Sequence, residues 1–134
     1  YLVLSSEDAV LLGYFSITIK PLVVNAEPFS NTVKRKLARF SEINKSEQTY
    51  NLAAYLIAQF GKNFSDNAIG RITGEELLEA AIKQIGGMVA FVEAEDKEKL
   101  LSFYSRYGFK RFAAREAAPD TDKSHGLIQL LKMI

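Results

Sequence analysis

The sequence predicts an α/β domain: a mixed, mostly antiparallel sheet with one parallel strand pair and helices on both faces. Three observations carry this. Near the start, VLLGYFSITI over residues 10–19 follows a short apolar run and a polar turn, the pattern of a hairpin. Two continuous apolar runs, YNLAAYLIAQ (50–59) and MVAFV (88–92), read as buried strands. Between those two runs lies one helix with its own start and stop signals, which makes a βαβ crossover and therefore a parallel pair.

The elements follow in order. Residues 1–5 form a short β-like run, and Ser6-Glu7-Asp8 turns the chain. In the second strand Phe15, Ile17 and Ile19 alternate with Ser16 and Thr18, so one face meets the core and the other water. Pro21 ends that strand or places it at a sheet edge, because proline has no amide to donate. Residues 25–49 read as an insertion holding one short amphipathic helix. Ser30 is its N-cap, Val33, Leu37 and Phe40 form its apolar stripe, and Lys34, Arg35, Lys36 and Arg39 fill the other side.

After the first buried strand comes a loop over residues 60–72 and then Thr73-Gly74-Glu75-Glu76, which has the spacing of a capping box. Leu77, Leu78, Ala81, Ile82 and Ile85 make a helical stripe that Gly86-Gly87 stops. Beyond the second buried strand, Asp96 is placed to cap a helix carrying Leu100, Phe103, Tyr104 and Tyr107 on one side, with Gly108 at its end. Strands over 109–115 and 127–133 close the chain, separated by a polar loop that holds His125.

Composition narrows the chemistry. The chain has 134 residues, which fits one domain over 1–134, and 48% of them are hydrophobic, enough for a real core. With 17 Lys+Arg against 16 Asp+Glu the net charge is +1, which makes no case for nucleic acid as a bulk partner. There are no cysteines, so disulfides, thiolate zinc sites and cysteine nucleophiles are excluded. One histidine, His125, cannot build a multi-histidine metal site, and no metal is expected. No apolar run approaches the roughly 20 residues of a membrane helix, and no secretory signal is evident. The expected setting is the cytoplasm, with no membrane partner.

The chemistry-bearing features lie in the second half. A helix N-terminus exposes unpaired amides and a partial positive charge, and Gly70 and Gly74 let backbone approach a ligand closely, so the loop before Glu75 suits phosphate as well as a plain turn. Arg71 and Lys62 could add charge. The following strand leads into a helix that closes Phe103-Tyr104-Ser105-Arg106-Tyr107-Gly108-Phe109. This Phe-Tyr-x-x-x-Gly-Phe ending, behind a βαβ unit whose first strand leaves as Gln59-Phe60-Gly61-Lys62-Asn63, resembles the GNAT N-acetyltransferases. The resemblance is strongest over residues 50–112.

The resemblance implies a function and a site. The two parallel strands would splay, and the pantetheine arm of acetyl-CoA would lie in the gap against Ala58, Gln59, Phe60, Gly61 and Lys62. The pyrophosphate would rest on amides from Ile69, Gly70, Arg71, Ile72, Thr73 and Gly74. Tyr104 would protonate the departing thiolate after a primary amine attacks the thioester. The acceptor would be a small molecule, a protein or an aminoacyl-tRNA, and the basic insertion helix would border it. Three positions depart from the family pattern: Ile69 replaces Gln or Arg, Ile72 replaces Gly, and Lys97 replaces Asn. The family's first strand and two helices have no counterpart before Tyr1, so the chain is expected to be an N-terminally incomplete version of that domain. A non-catalytic acyl-CoA-binding or protein-interaction module is the alternative. A homodimer paired through residues 127–133 is the oligomer the sequence suggests.

Overall fold

The alternation of the opening segment becomes a strand pair. In the computed structural model, which describes residues 1–115 and 126–134, β1 (Leu2–Leu4) runs antiparallel to β2 (Leu11–Asn25). Strand β2 does not stop at Pro21. It continues to Asn25, with Pro21 opposite Ala53 of β4 (Thr49–Lys62). Beyond Phe15 its other side pairs with no described strand, so the proline sits where its missing amide leaves no ladder bond unmade.

The insertion holds α1 (Asn31–Leu37) and the two-residue β3 (Ile43–Asn44), which pairs with the start of β4. Ser30 caps α1, its hydroxyl accepting from the Val33 amide at 3.3 Å. Leu37 is fully buried, whereas Phe40 lies past the helix end and is 50% exposed, so the expected three-residue stripe is shorter than its spacing suggested. The chain then crosses from β4 through α2 (Gly74–Lys83) to β5 (Val89–Glu95), and the two strands are parallel. The capping box forms as the sequence predicts. Thr73 Oγ1 accepts from the Glu76 amide at 3.1 Å, and the Glu76 carboxylate accepts from the Thr73 amide at 2.8 Å.

Helix α3 (Glu98–Arg106) starts one residue later than predicted: its N-cap is Lys97, with no side-chain cap bond, in place of Asp96. The Lys97 amide closes a turn on the Glu95 carbonyl and its ammonium pairs with the Glu95 carboxylate, so the strand exit fixes the helix start before Asp96 can cap it. Gly108 ends α3 with φ of +88°, a left-handed conformation that favours glycine.

β6 (Lys110–Arg115) and β7 (Leu127–Met133) complete a sheet of order β1-β2-β4-β5-β7-β6, with β3 beside β4. One pair, β4 with β5, is parallel and the described others are antiparallel. β7 lies between β5 and β6, so it is not the exposed edge that a dimer through residues 127–133 requires. β6 pairs antiparallel with β7 and lies outside it.

The period of two on β5 separates two cores. Ala90, Val92 and Ala94 face α2 and α3, beside Leu77, Leu78 and Tyr104. Val89 and Phe91 face the other way, beside Leu37, Leu52 and Leu56, so the insertion covers the second face of the sheet. No helix among the described residues is long and apolar enough to cross a membrane.

Candidate functional site

The parallel ladder between β4 and β5 is short. It holds Tyr55 opposite Ala90, Leu56 opposite Phe91 and Ile57 opposite Val92, and then stops. Both strands continue, but with other neighbours. Gly61 and Lys62 stay opposite Tyr14 and Gly13 of β2, while Glu93, Ala94 and Glu95 pair with Gln129, Ile128 and Leu127 of β7. The two strands therefore part beyond Ile57 and Val92, leaving one side of β4 without a strand partner among the described residues.

A bulge in β4 starts at the same place. Between the pairs Phe15–Phe60 and Ile17–Ile57, Ala58 and Gln59 together oppose the single residue Ser16. The Ser16 hydroxyl accepts from the Gln59 amide at 3.0 Å, so that amide faces β2 and not the gap. Phe60 faces the other way. Its partner Phe15 spends both backbone groups on Tyr1, donating to the Tyr1 carbonyl at 3.1 Å and accepting from the Tyr1 ammonium at 2.8 Å. The Phe15–Phe60 pair is therefore of the non-hydrogen-bonded kind, and the N–H and C=O of Phe60 turn to the open side of β4. Ala58 and Gln59 are exposed, Phe60, Gly61 and Lys62 half-buried. The Lys62 ammonium stands 5.5 Å from the centre of the Phe64 ring.

The loop before α2 is wound on itself. The Ile69 amide donates to the Ser65 carbonyl at 2.9 Å, the Arg71 amide to the Ala68 carbonyl at 3.1 Å, and the Thr73 amide to Glu76. Among the amides of Ile69, Gly70, Arg71, Ile72, Thr73 and Gly74, three are thus committed internally. Gly70 has φ of +74° and open space around it. Ile69 is 59% exposed, while Ile72 packs on the core with Leu77, the hydrophobic staple of a capped helix. A Cβ on Gly74 would lie 3.1 Å from the Phe103 ring, so this glycine serves close packing of α3 on the start of α2.

Charge in this loop is also committed. Arg71 forms a forked pair with Asp8, Nη1 to Oδ2 and Nη2 to Oδ1 at 3.0 Å each, and donates to the Ser5 hydroxyl and the Asn67 carbonyl. The Arg71 and Ser5 bonds hold the Asp8 carboxyl down to about 2. The bonds from the Thr73 amide and hydroxyl lower the Glu76 carboxyl too, so it is ionised at neutral pH beside the helix N-terminus. An incoming pyrophosphate would meet this carboxylate and Glu75, and Arg71 would have to leave Asp8 to reach it. Since a depressed carboxyl binds its proton more weakly folded than unfolded, the Asp8–Arg71 pair supports the fold above pH 3.8 and loses that support as pH falls toward 2. A carbon-detected NMR titration should find the Asp8 midpoint near 2, returning toward 3.8 in Arg71→Ala.

Tyr104 is 9% exposed and sits in the same apolar cluster as Phe60, Leu77 and Leu78. Edge-on rings of Phe103 at 5.2 Å and Phe109 at 5.7 Å fix its orientation. Burial pushes its phenol above 10.0, with no hydrogen bond contributing, and no buried side-chain oxygen among the described residues lacks a partner. The hydroxyl therefore touches solvent while the ring is packed. It is protonated at neutral pH, as a proton donor must be.

Two carboxylates lie on β5: Glu93 Oε1 accepts from Gln129 at 3.4 Å, and Glu95 pairs with Lys97. His125 lies outside the described residues. Sequence reasoning missed the Arg71–Asp8 pair, which joins residues 63 apart, and the Ser16–Gln59 bond, which joins residues 43 apart. No local signal marks either.

No family model matches this chain, and no curated protein matches it. Among solved structures it is similar to a "putative acetyltransferase" from Agrobacterium tumefaciens. The identity is 17% and the TM-score 0.42, over 78% of this chain and 87% of that one.

Proposed function

We propose that this chain is an acetyl-CoA-dependent N-acyltransferase of the GNAT type, moving an acetyl group to a primary amine in the cytoplasm. The observation that carries the reading is the gap itself: β4 and β5 part after three residue pairs, and the Phe60 N–H and C=O turn to the open side. An extended pantetheine arm carries amides that such an edge can bond as a strand would. With the thioester in the gap, a β4 amide offers a donor for the oxyanion that forms when the amine attacks. The nitrogen's lone pair forms the new C–N bond, the C–S bond breaks, the nitrogen gives up a proton to water, and the sulfur takes a proton. Tyr104 is the proposed source of that proton, held neutral by its burial. The acceptor class is a small-molecule, protein-borne or RNA-borne amine.

A second reading is favoured by one specific observation. The Glu76 carboxylate occupies the start of α2 and Arg71 is tied to Asp8, so the phosphate seat is weak. A module that keeps the fold for acyl-CoA or protein binding without turnover fits that loop.

Calorimetric titration with acetyl-CoA, desulfo-CoA and adenosine diphosphate tests the first reading. The expected result is binding of both coenzyme A forms, with adenosine diphosphate weaker because the loop contributes little. Absence of coenzyme A binding by the folded chain would overturn it.

A further inference from the structure

At the opposite end of the sheet from the gap lies a cleft that the acyl-transfer reading does not use. Its volume is about 190 Å³, and α1, β6 and β7 form its walls. Phe29, Val33, Leu131 and Met133 line it with apolar surface, and Lys36 and Lys110 bring two ammonium groups and no carboxylate. Leu131, Lys132 and Met133 pair with Phe91, Ala90 and Val89, the first residues of β5, whereas the strands part only beyond Val92. Lys110 lies opposite Leu131, at the first residue of β6.

We infer that this cleft binds a small aromatic carboxylate. Size sets the first limit: a cavity of roughly 150 Å³ holds one benzene ring, so the 190 Å³ cleft takes a single ring with a short acidic tail. Charge sets the second. Lys110 is the register partner of Leu131 and shares its side of the sheet, so its ammonium borders the apolar lining. An ammonium has three N–H donors to offer an anion. Lys36 lies three residues after Val33 on α1, so the two share a helix face at the cleft. An apolar pocket with a few convergent charged groups is the ordinary form of a small-ligand site.

The test is an NMR or calorimetric titration of the folded chain with phenylacetate, and with phenylacetamide as its neutral counterpart. Phenylacetate should bind saturably, and phenylacetamide about tenfold more weakly or worse, the ratio shrinking with salt. Lys36→Glu combined with Lys110→Glu, both exposed positions, should lower phenylacetate affinity by about tenfold or more. Val33→Trp should fill the cleft and abolish binding, with circular dichroism showing that the fold is kept. Equal binding of the amide, unchanged affinity in the double variant, or no saturable binding would each overturn the assignment. The acetyl-CoA titration leaves it unaffected either way, because the two sites lie at opposite ends of β5.

Discussion

Tyr104→Phe is expected to lower acetyl transfer by about 10²–10⁴-fold while leaving acetyl-CoA binding largely unchanged. The substitution removes one oxygen and nothing else that the packing uses. The ring stays between Phe103 and Phe109, and no hydrogen bond within the described residues is lost. A fall in kcat with KM retained therefore reads as loss of a proton donor. A fall in both, together with a lower melting temperature, reads as loss of packing. A folded Tyr104→Phe with wild-type turnover would remove the phenol from the mechanism.

The pH dependence gives an independent sign. The folded phenol lies above its ordinary 10.0, so the fold holds this proton more tightly than the unfolded chain does. That contribution to stability is complete below pH 10 and falls as pH climbs beyond it. Alkaline denaturation of the wild type should be steeper than that of Tyr104→Phe. Burial raises the Tyr104 phenol above its ordinary 10.0, so a limb in the rate profile between pH 6 and 9 does not come from this group.

Local signals proved legible. Thr73, Glu76 and Ser30 carry their caps within three residues of chain, and both capping arrangements form as the spacing requires. The apolar runs of β4 and β5 identify themselves as strands because burial on both faces leaves few polar positions. What local patterns could not reach was partnership. Arg71 was a plausible phosphate ligand by type, and only the approach of the β1–β2 turn reveals that Asp8 takes it. β7 looked like an edge because it ends the chain, but β6 lies outside it. The gap rests on a register change at Ser16, and Ser16 is simply one polar residue in an alternating strand until Ala58 and Gln59 are seen to oppose it.

Leu37→Ala is expected to cost about 2–5 kcal/mol, the range for emptying a fully buried leucine site. The reasoning concerns what the insertion does. Helix α1 has seven residues, too few to hold together in water by itself. It persists because Leu37, with Val33 and Phe29, covers the sheet face formed by Val24, Leu52, Leu56 and Phe91. Removing the leucine should therefore expose or void that face rather than merely fray a surface helix. Phe40 supplies the control: it sits beyond the helix and is 50% exposed, so Phe40→Ala should change stability by no more than about 0.5 kcal/mol. Urea titrations of both variants decide the point, read as midpoint shifts at constant slope. Equal, small shifts would mean that the sheet is closed without α1. A large shift for Leu37 alone would make the insertion part of the core, and would place Lys36 on a scaffold rigid enough to hold an anion.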